Sequence, residues 1–211
     1  MSPPWVLALV GCWVSEAEIQ GRIASVDGET DVELDTSVDT DAEVGFEFST
    51  IGSADDSYQS ADSSPPWGEG EVLEDVEAGA TLHTFAAYLS LNADRAVEFA
   101  VYESTDFNGS TGIFTRVWTD SIVYSAGTGF GDSPAIDLPL DPQSSYLVAS
   151  GGLEVTDDRW FSEEEYPANV GFAWATGYYA LSTENWPSSF VAIGADAYTT
   201  GVGYTEFEYT F

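Results

Sequence analysis

The sequence predicts an all-β protein built as an antiparallel β-sandwich, and three observations favour this fold class. In residues 82–103 apolar side chains recur at every second position, which is the period of a half-buried strand because successive side chains point to opposite faces of the pleat. Aromatic residues make up 14% of the chain, and bulky rings suit sheet surfaces. No stretch from residue 44 to 211 sustains a helical period, and turn residues separate several short apolar runs.

Residues 82–103 are predicted to form a hairpin of two strands with a tight polar turn at residues 92–95. The predicted core positions are Phe85, Ala87, Leu89 and Leu91 on the first strand and Val97, Phe99 and Val101 on the second. Glu98 falls on the opposite face of its strand and is expected to face solvent. A second hairpin is predicted at residues 135–149, where Pro142 pre-sets the turn.

The N-terminal residues 1–12 contain a short apolar run that ends at Cys12, the only cysteine. Leu9-Val10-Gly11-Cys12 resembles the lipobox of bacterial lipoproteins, which implies a lipid on Cys12 and an extracellular or outer-surface location. The run is too short to span a bilayer as a helix, and no Lys or Arg precedes it as in an ordinary signal peptide. The alternative is that Cys12 is a buried thiol in a short first strand. A single cysteine forms no internal disulfide in either case.

Residues 13–43 are predicted to be an acidic flexible tether, and residues 44–211 a single β-sandwich domain. Eight acidic residues and no aromatic lie between Asp27 and Glu43, and such a segment buries too little apolar surface to offset the entropy of ordering. Its acid spacing does not match the calcium loop of an EF-hand.

The charge balance is strongly negative, with 37 acidic residues against 4 arginines and no lysine, a formal net charge of -33. Such a field repels phosphate backbones and anionic lipid headgroups, so binding to nucleic acid or to a charged membrane surface is disfavoured. Two explanations stay open: a saline or calcium-rich setting that screens the charge, and solubility of a surface-displayed protein.

Within residues 44–211, the Ser-, Gly-, Pro- and acid-rich stretches are predicted to be loops. They comprise residues 51–71, 104–112, 127–133 and 157–167. Further short strands are predicted at residues 72–76, 113–117, 121–124, 170–180 and 190–195.

One family resemblance covers residues 72–152. The runs YLSL and VEFAVYES, then FTRVW, a glycine-rich loop and IDLPLDPQSSYLVAS resemble a jelly-roll-type β-sandwich domain that recurs in secreted and lipid-anchored bacterial proteins. The resemblance implies a jelly-roll-like fold and an extracellular setting. It implies no activity, because the family has none that is settled.

The sequence predicts no catalytic residues, and the chain is expected not to be an enzyme. His83 is the only histidine and is assigned to the start of a strand, although a His-dependent triad would be possible in principle. No G-x-S-x-G motif occurs, and the glycine-rich residues 127–131 lack the lysine of a phosphate loop. With 37 carboxylates, some acid pair is inevitable and carries no information.

Aromatic residues in or beside the predicted loops are the candidate ligand-binding residues. They are Trp67, Trp118, Trp160, Trp186 and Tyr166. Aromatic faces flanked by acids can stack on sugar rings while the carboxylates accept hydrogen bonds from hydroxyl groups. The alternative is that these rings close the ends of the sandwich.

Two acid-bearing loops are the candidate calcium sites, one with Asp106 and Asn108 and the other with Asp157 and Asp158. Solvated acidic loops without an ion explain the same pattern.

Three functions remain open on the sequence. The first is a non-catalytic extracellular or surface-anchored sandwich that binds a ligand, a carbohydrate or a partner at the cell surface. The second is a structural surface protein that assembles with itself. The third is an outer-membrane β-barrel, raised by the C-terminal pattern of Thr205, Phe207, Tyr209 and Phe211.

Overall fold

The computed structural model describes residues 45–52, 57–60, 67–153, 157–182, 186–193, 197–198 and 200–211. These residues form strands, turns and loops with no helix, in two antiparallel sheets, so the predicted all-β sandwich is confirmed. They belong to one compact unit, Val44–Phe211. None of the described segments is a helix long and apolar enough to cross a membrane. The predicted lipobox with Cys12 and the predicted tether at residues 13–43 lie outside the described residues.

The strands in chain order are β1 (Glu47–Ile51), β2 (Ser57–Ser60), β3 (Trp67–Glu74), β4 (Thr81–Leu91), β5 (Arg95–Ser104), β6 (Thr111–Tyr124), β7 (Gly127–Asp132), β8 (Leu138–Pro139), β9 (Ser145–Leu153), β10 (Asp158–Glu165), β11 (Ala168–Asn169), β12 (Trp174–Ser182), β13 (Ser189–Ile193), β14 (Ala197–Tyr198), β15 (Thr200–Gly203) and β16 (Thr205–Thr210). Sheet A has the order β1-β16-β4-β10-β15, with β7 and β8 also paired to β4 and β2 to β10. Sheet B has the order β11-β12-β3-β9-β5-β6-β13, with β14 paired to β12.

The main core lies between the two sheets, and it contains every core position predicted from residues 82–103. Phe85 of β4 meets Phe99 of β5 edge to face, with ring centroids 5.5 Å apart. Glu98 is exposed, as predicted.

The predicted hairpin in residues 82–103 is wrong, because β4 belongs to sheet A and β5 to sheet B. The two strands form an arch whose apolar faces meet across the core. The second predicted hairpin is wrong for the same reason: β8 pairs with β4 and β9 with β3 and β5, although the turn at residues 141–144 is present. A period of two shows which side chains are buried but not whether they lie side by side or face to face.

Sheet B is apolar on both faces. A second cluster on the face turned away from sheet A includes Tyr102, Phe114 and Leu147. Residues 186–190 cover it, with Trp186 and Phe190 packed on the cluster, and the Tyr102 hydroxyl donates to the Pro187 carbonyl over 3.0 Å. In the central strands β5 and β9, residues 99–102 and 146–149 are therefore apolar and buried at consecutive positions.

Three predicted loops are strands: β3 lies largely within 51–71, β7 within 127–133 and β10 within 157–167. In β3, Gly68 and Gly70 lie on the face of the second cluster. A Cβ atom would overlap the Trp186 ring at Gly68 and the backbone of β9 at Gly70. The composition of this strand is typical of a loop, but its glycines allow neighbouring side chains and backbone to pack closely against it. The run predicted as a separate strand at 121–124 is the end of the long β6.

Candidate functional site

The side of sheet A turned away from the core, called here the outer face, carries the arrangement that best fits a binding site. It is formed by β1, β16, β4 and β7, whose registers place outward side chains in rows across the strands. Alternate residues of these strands fill the core, so the rows consist of the polar and aromatic residues between them.

An aromatic cluster forms the first row and consists of Tyr88, Phe130 and Tyr204. The Tyr88 ring stacks on Tyr204 at a centroid distance of 5.0 Å, and Phe130 meets both rings edge to face at 5.0 and 4.7 Å. The backbone N–H of Tyr88 donates to the Tyr204 carbonyl over 2.9 Å, which fixes the two strands at this point. All three residues are partly exposed, so part of the cluster faces solvent.

A carboxylate row lies next to the aromatic cluster. Glu206 of β16 and Asp132 of β7 are both register partners of Ala86 on β4, so the two acids flank one small residue. With neighbouring strands about 4.8 Å apart, their Cα atoms are separated by about 9.6 Å. Ala86 is buried although it points outward, which shows that the side chains around it close over this row.

Burial and like charge raise the pKa of both acids in the row. Desolvation by the surrounding side chains, together with the nearby Glu208 carboxylate, raises the pKa of Asp132. Desolvation and the Asp132 carboxylate likewise raise the pKa of Glu206, and a hydrogen bond from Thr50 partly offsets this rise. Asp132 remains accessible to solvent, so water screens part of the repulsion.

The third row pairs Glu208 with Thr84, whose hydroxyl donates to the carboxylate over 3.0 Å. Phe48 of β1 is the neighbour of Glu208 on the other side and is 72% exposed. The fourth row contains His83, which hydrogen bonds to Asp137 and Thr210. Aromatic surface, carboxylates and a histidine thus share one face of the protein.

The predicted aromatic binding residues do not gather at one place. Trp118 packs against the main core, whereas Trp186 covers the second cluster on the opposite face of sheet B. The Tyr166 hydroxyl donates to the Glu71 carboxylate. Trp67 lies in β3 and Trp160 in β10, and their side chains are outside the described part of the structure.

The predicted metal residues fall at opposite ends of β5. Asp106 Oδ1 accepts hydrogen bonds from the Ser104 hydroxyl and the Ile113 N–H over 2.9 and 2.8 Å, and these bonds lower the pKa of Asp106. Asn108 Oδ1 accepts from the Ser110 and Thr111 N–H groups over 3.1 and 2.9 Å, so both residues close the β5–β6 loop.

The other predicted metal residue with a described side chain is buried. Asp157 Oδ2 lies 2.5 Å from Arg95 Nε, and Asp157 Oδ1 accepts a hydrogen bond from the Asn92 N–H over 3.0 Å. These contacts hold the turn of the β4–β5 arch in place. The side chain of Asp158 is outside the described part. Among the described residues no group of three or more His, Cys, Asp or Glu has the geometry to hold a metal ion. Calcium binding stays a prediction.

Two further carboxylates, Glu69 and Glu71, are buried inside the sandwich on β3. Tyr178 donates to Glu69 over 2.6 Å, and the Gly203 N–H donates to Glu71 over 3.1 Å. These hydrogen bonds offset part of the cost of burying the two carboxylates. They join β3 to β12 and to β15.

Sequence reasoning missed the residues of the outer face. The alternation of residues 205–210, TEFEYT, shows that Glu206 and Glu208 point away from the core. It does not show which residues of β4 and β7 lie beside them, because that depends on registers between strands far apart in the chain.

Comparison with known proteins found no match: no family model, no curated protein and no solved structure matches this chain. Function depends on the chemistry of a site rather than on the fold that carries it.

Proposed function

We propose that this protein is an extracellular or surface-anchored β-sandwich that binds carbohydrate on the outer face of sheet A. One observation carries the proposal: the partly exposed aromatic cluster of Tyr88, Phe130 and Tyr204 lies directly beside the carboxylate row of Asp132 and Glu206.

The chemistry of the two rows matches the two surfaces of a sugar. Aromatic rings pack against the apolar C–H face of a pyranose, and carboxylates accept hydrogen bonds from its hydroxyl groups. The net charge of -33 repels sulfated or uronic acid polymers, so the expected ligands are neutral or amine-bearing glycans. The rows of outward side chains continue along β4 from the aromatic cluster to Thr84, so the face is long enough for more than one sugar unit.

A glycan array followed by titration calorimetry tests the proposal. We expect binding of a neutral or amine-bearing glycan that falls at least tenfold in Tyr204→Ala and in Glu206→Gln. Trp174→Ala is the matched control, because Trp174 is a partly exposed aromatic residue on sheet B. Equal affinity in all variants, or an array with no neutral or amine-bearing ligand, would contradict carbohydrate binding at this face.

We further propose that Cys12 is lipidated and holds the domain at the outer cell surface, and that the sandwich is of the jelly-roll type. The Leu9-Val10-Gly11-Cys12 motif supports the lipid anchor. Palmitate labelling that disappears in Cys12→Ser is the expected result, and an unlabelled full-length product is the contrary one.

Calcium binding at Asp106 and Asn108 is tested by the melting temperature with and without Ca²⁺, since an ion bound only to the folded state raises the melting temperature.

Self-assembly is a second candidate function, favoured by the edge of sheet B. Val191 of β13 and Ile113 of β6 are register partners, 62% and 52% exposed, and β13 ends the sheet in the described part of the chain. An apolar edge strand can template pairing with another chain. Negative-stain microscopy would show filaments that Val191→Lys abolishes; particles of monomer size at every concentration would exclude this function.

A further inference from the structure

A hydrogen-bonded relay of three side chains occupies the fourth row of the outer face. His83 Nδ1 lies 2.6 Å from Asp137 Oδ1, and His83 Nε2 lies 2.9 Å from Thr210 Oγ1. The three residues come from distant parts of the chain: β4, the connection between β7 and β8, and the end of β16. His83 is the only histidine in the sequence.

For a neutral His83 ring, the carboxylate partner selects one tautomer. A carboxylate only accepts, so Nδ1 of the neutral ring carries the hydrogen and donates it to Asp137. Nε2 then presents a lone pair, and the Thr210 hydroxyl donates to it. This is the arrangement of a hydroxyl nucleophile, a base and an acid that orients the base.

Two backbone irregularities place the side chains of the relay. The register between β4 and β16 passes from Thr84 opposite Glu208 to Leu82 opposite Tyr209, which leaves His83 as an extra residue in a bulge. Because Leu82 and Phe85 both face the core, the bulge turns His83 outward. Asp137 has a φ of 48°, in the left-handed region that non-glycine residues seldom occupy. Bulges and such φ values concentrate beside functional sites.

The relay borders on exposed apolar surface. The Phe46 ring meets the His83 ring edge to face at 4.9 Å and is 56% exposed, and Phe48 lies in the adjoining row. Side-chain exposure is 17% for His83 and 71% for Asp137, whereas Thr210 is nearly buried beneath them. The exposed Phe46 ring therefore provides apolar surface beside His83 for the acyl group of a ligand.

We propose that His83, Asp137 and Thr210 form an acyl-transfer site for esters with an apolar acyl group. Thr210 Oγ1 forms a bond to the ester carbonyl carbon while its proton moves to His83 Nε2. The carbon–oxygen bond to the alcohol then breaks, and the alcohol leaves with that proton. Water attacks the acyl-threonine by the same route, releasing the carboxylic acid and restoring the hydroxyl.

This inference goes beyond carbohydrate binding and does not depend on it, because the relay shares no side chain with the aromatic cluster or the carboxylate row. Thr84 supplies an internal comparison: it is an outward threonine of the same face, but its hydroxyl donates to Glu208 rather than to a histidine. The relay therefore predicts reactivity at Thr210 and none at Thr84.

The test uses the full chain with a fluorophosphonate probe and with p-nitrophenyl butyrate. The probe should phosphonylate Thr210, as the phosphorus–fluorine bond breaks and fluoride leaves, and peptide mapping by mass spectrometry should place a single adduct there. Thr210→Ala and His83→Ala should lose at least tenfold in ester hydrolysis. Thr210→Ser should keep the activity. Thr176→Ala should match the unchanged protein, because Thr176 lies on sheet B, outside the outer face, and its hydroxyl donates to the Glu74 carboxylate.

Folding of each variant is checked by circular dichroism, and the adduct on the unmutated chain needs no variant at all. An adduct at another residue, no adduct, or hydrolysis by Thr210→Ala equal to that of the unchanged protein would each overturn the proposal. Loss of glycan binding with the adduct retained would instead remove only the proposed carbohydrate function.

Discussion

The arch formed by β4 and β5 predicts an energetic coupling between Phe85 and Phe99. Their rings meet edge to face across the core at 5.5 Å, and both side chains are buried. Replacing either by leucine keeps an apolar residue but removes the ring contact. We expect each single substitution to lower the free energy of unfolding by about 1–3 kcal/mol.

The double-mutant cycle isolates the ring pair. An edge-to-face contact contributes about 0.5–1.5 kcal/mol beyond the burial of area, so the double variant should lose less than the sum of the single losses by that amount. The assay is urea unfolding followed by tryptophan fluorescence at fixed salt. Phe85→Leu combined with Phe114→Leu is the control, because Phe114 belongs to the second cluster, and this pair should be additive within about 0.5 kcal/mol.

A cycle without coupling would refute the arch. In the predicted hairpin, with its turn at residues 92–95, Phe85 lies seven residues before the turn and Phe99 four residues after it, so the two rings would be offset by about three residues along the strands. That offset is about 10 Å, beyond ring contact. The coupling energy therefore distinguishes the two topologies.

Four further outcomes follow from the described contacts. Gly70→Ala should be strongly destabilising in urea unfolding because its Cβ would overlap backbone atoms of β9, whereas Gly45→Ala, with no atom within 4 Å, should stay within about 0.5 kcal/mol of the unchanged protein. Arg95→Met should cost about 3–5 kcal/mol, because it leaves the Asp157 carboxylate buried without its ion pair. Asp132→Asn should stabilise the protein at pH 7. Because the pKa of Asp132 is raised in the folded state, the unmutated protein loses stability as pH rises from the ordinary value of 3.8 towards the folded pKa. The stability gained by the substitution should therefore be absent below pH 3.8 and appear as pH rises through that window. Raising NaCl from 0.1 to 1 M should raise the urea midpoint, since a net charge of -33 repels itself less when the Debye length falls from about 10 to 3 Å; an unchanged midpoint would contradict this.

The sequence was sufficient to predict which residues of β4 and β5 are buried, because alternation reports burial directly. It was not sufficient to predict their partners. Phe85 and Phe99 would be apolar in a hairpin and in an arch alike, and the polar turn between them suits both. The same limit applies to Asp141–Ser144, where the turn was predicted but the strands on its two sides enter different sheets.

Composition misled where glycines and acids stand inside strands. Gly68 and Gly70 make β3 look like a loop, yet they are small because Trp186 and the backbone of β9 press against that face. Glu69 and Glu71 have the character of surface residues, yet they are buried inside the sandwich, where tyrosine hydroxyls donate hydrogen bonds to them. The outer-face site was hidden for a related reason: Asp132 and Glu206 are 74 residues apart in number and become neighbours of Ala86 only through two strand registers.

The β4–β5 arch also has a consequence for how the chain reaches its native state. In the described part of the structure only β5–β6 and β11–β12 are sequence-adjacent strands that bond to each other. Every other pairing requires the closure of a longer loop before any contact is gained, and proteins dominated by such pairings fold in milliseconds to seconds. The long β5–β6 hairpin is the one sizeable local unit in the described part of the chain, and sheet B can grow from it. Refolding is therefore expected to be slow and to start there.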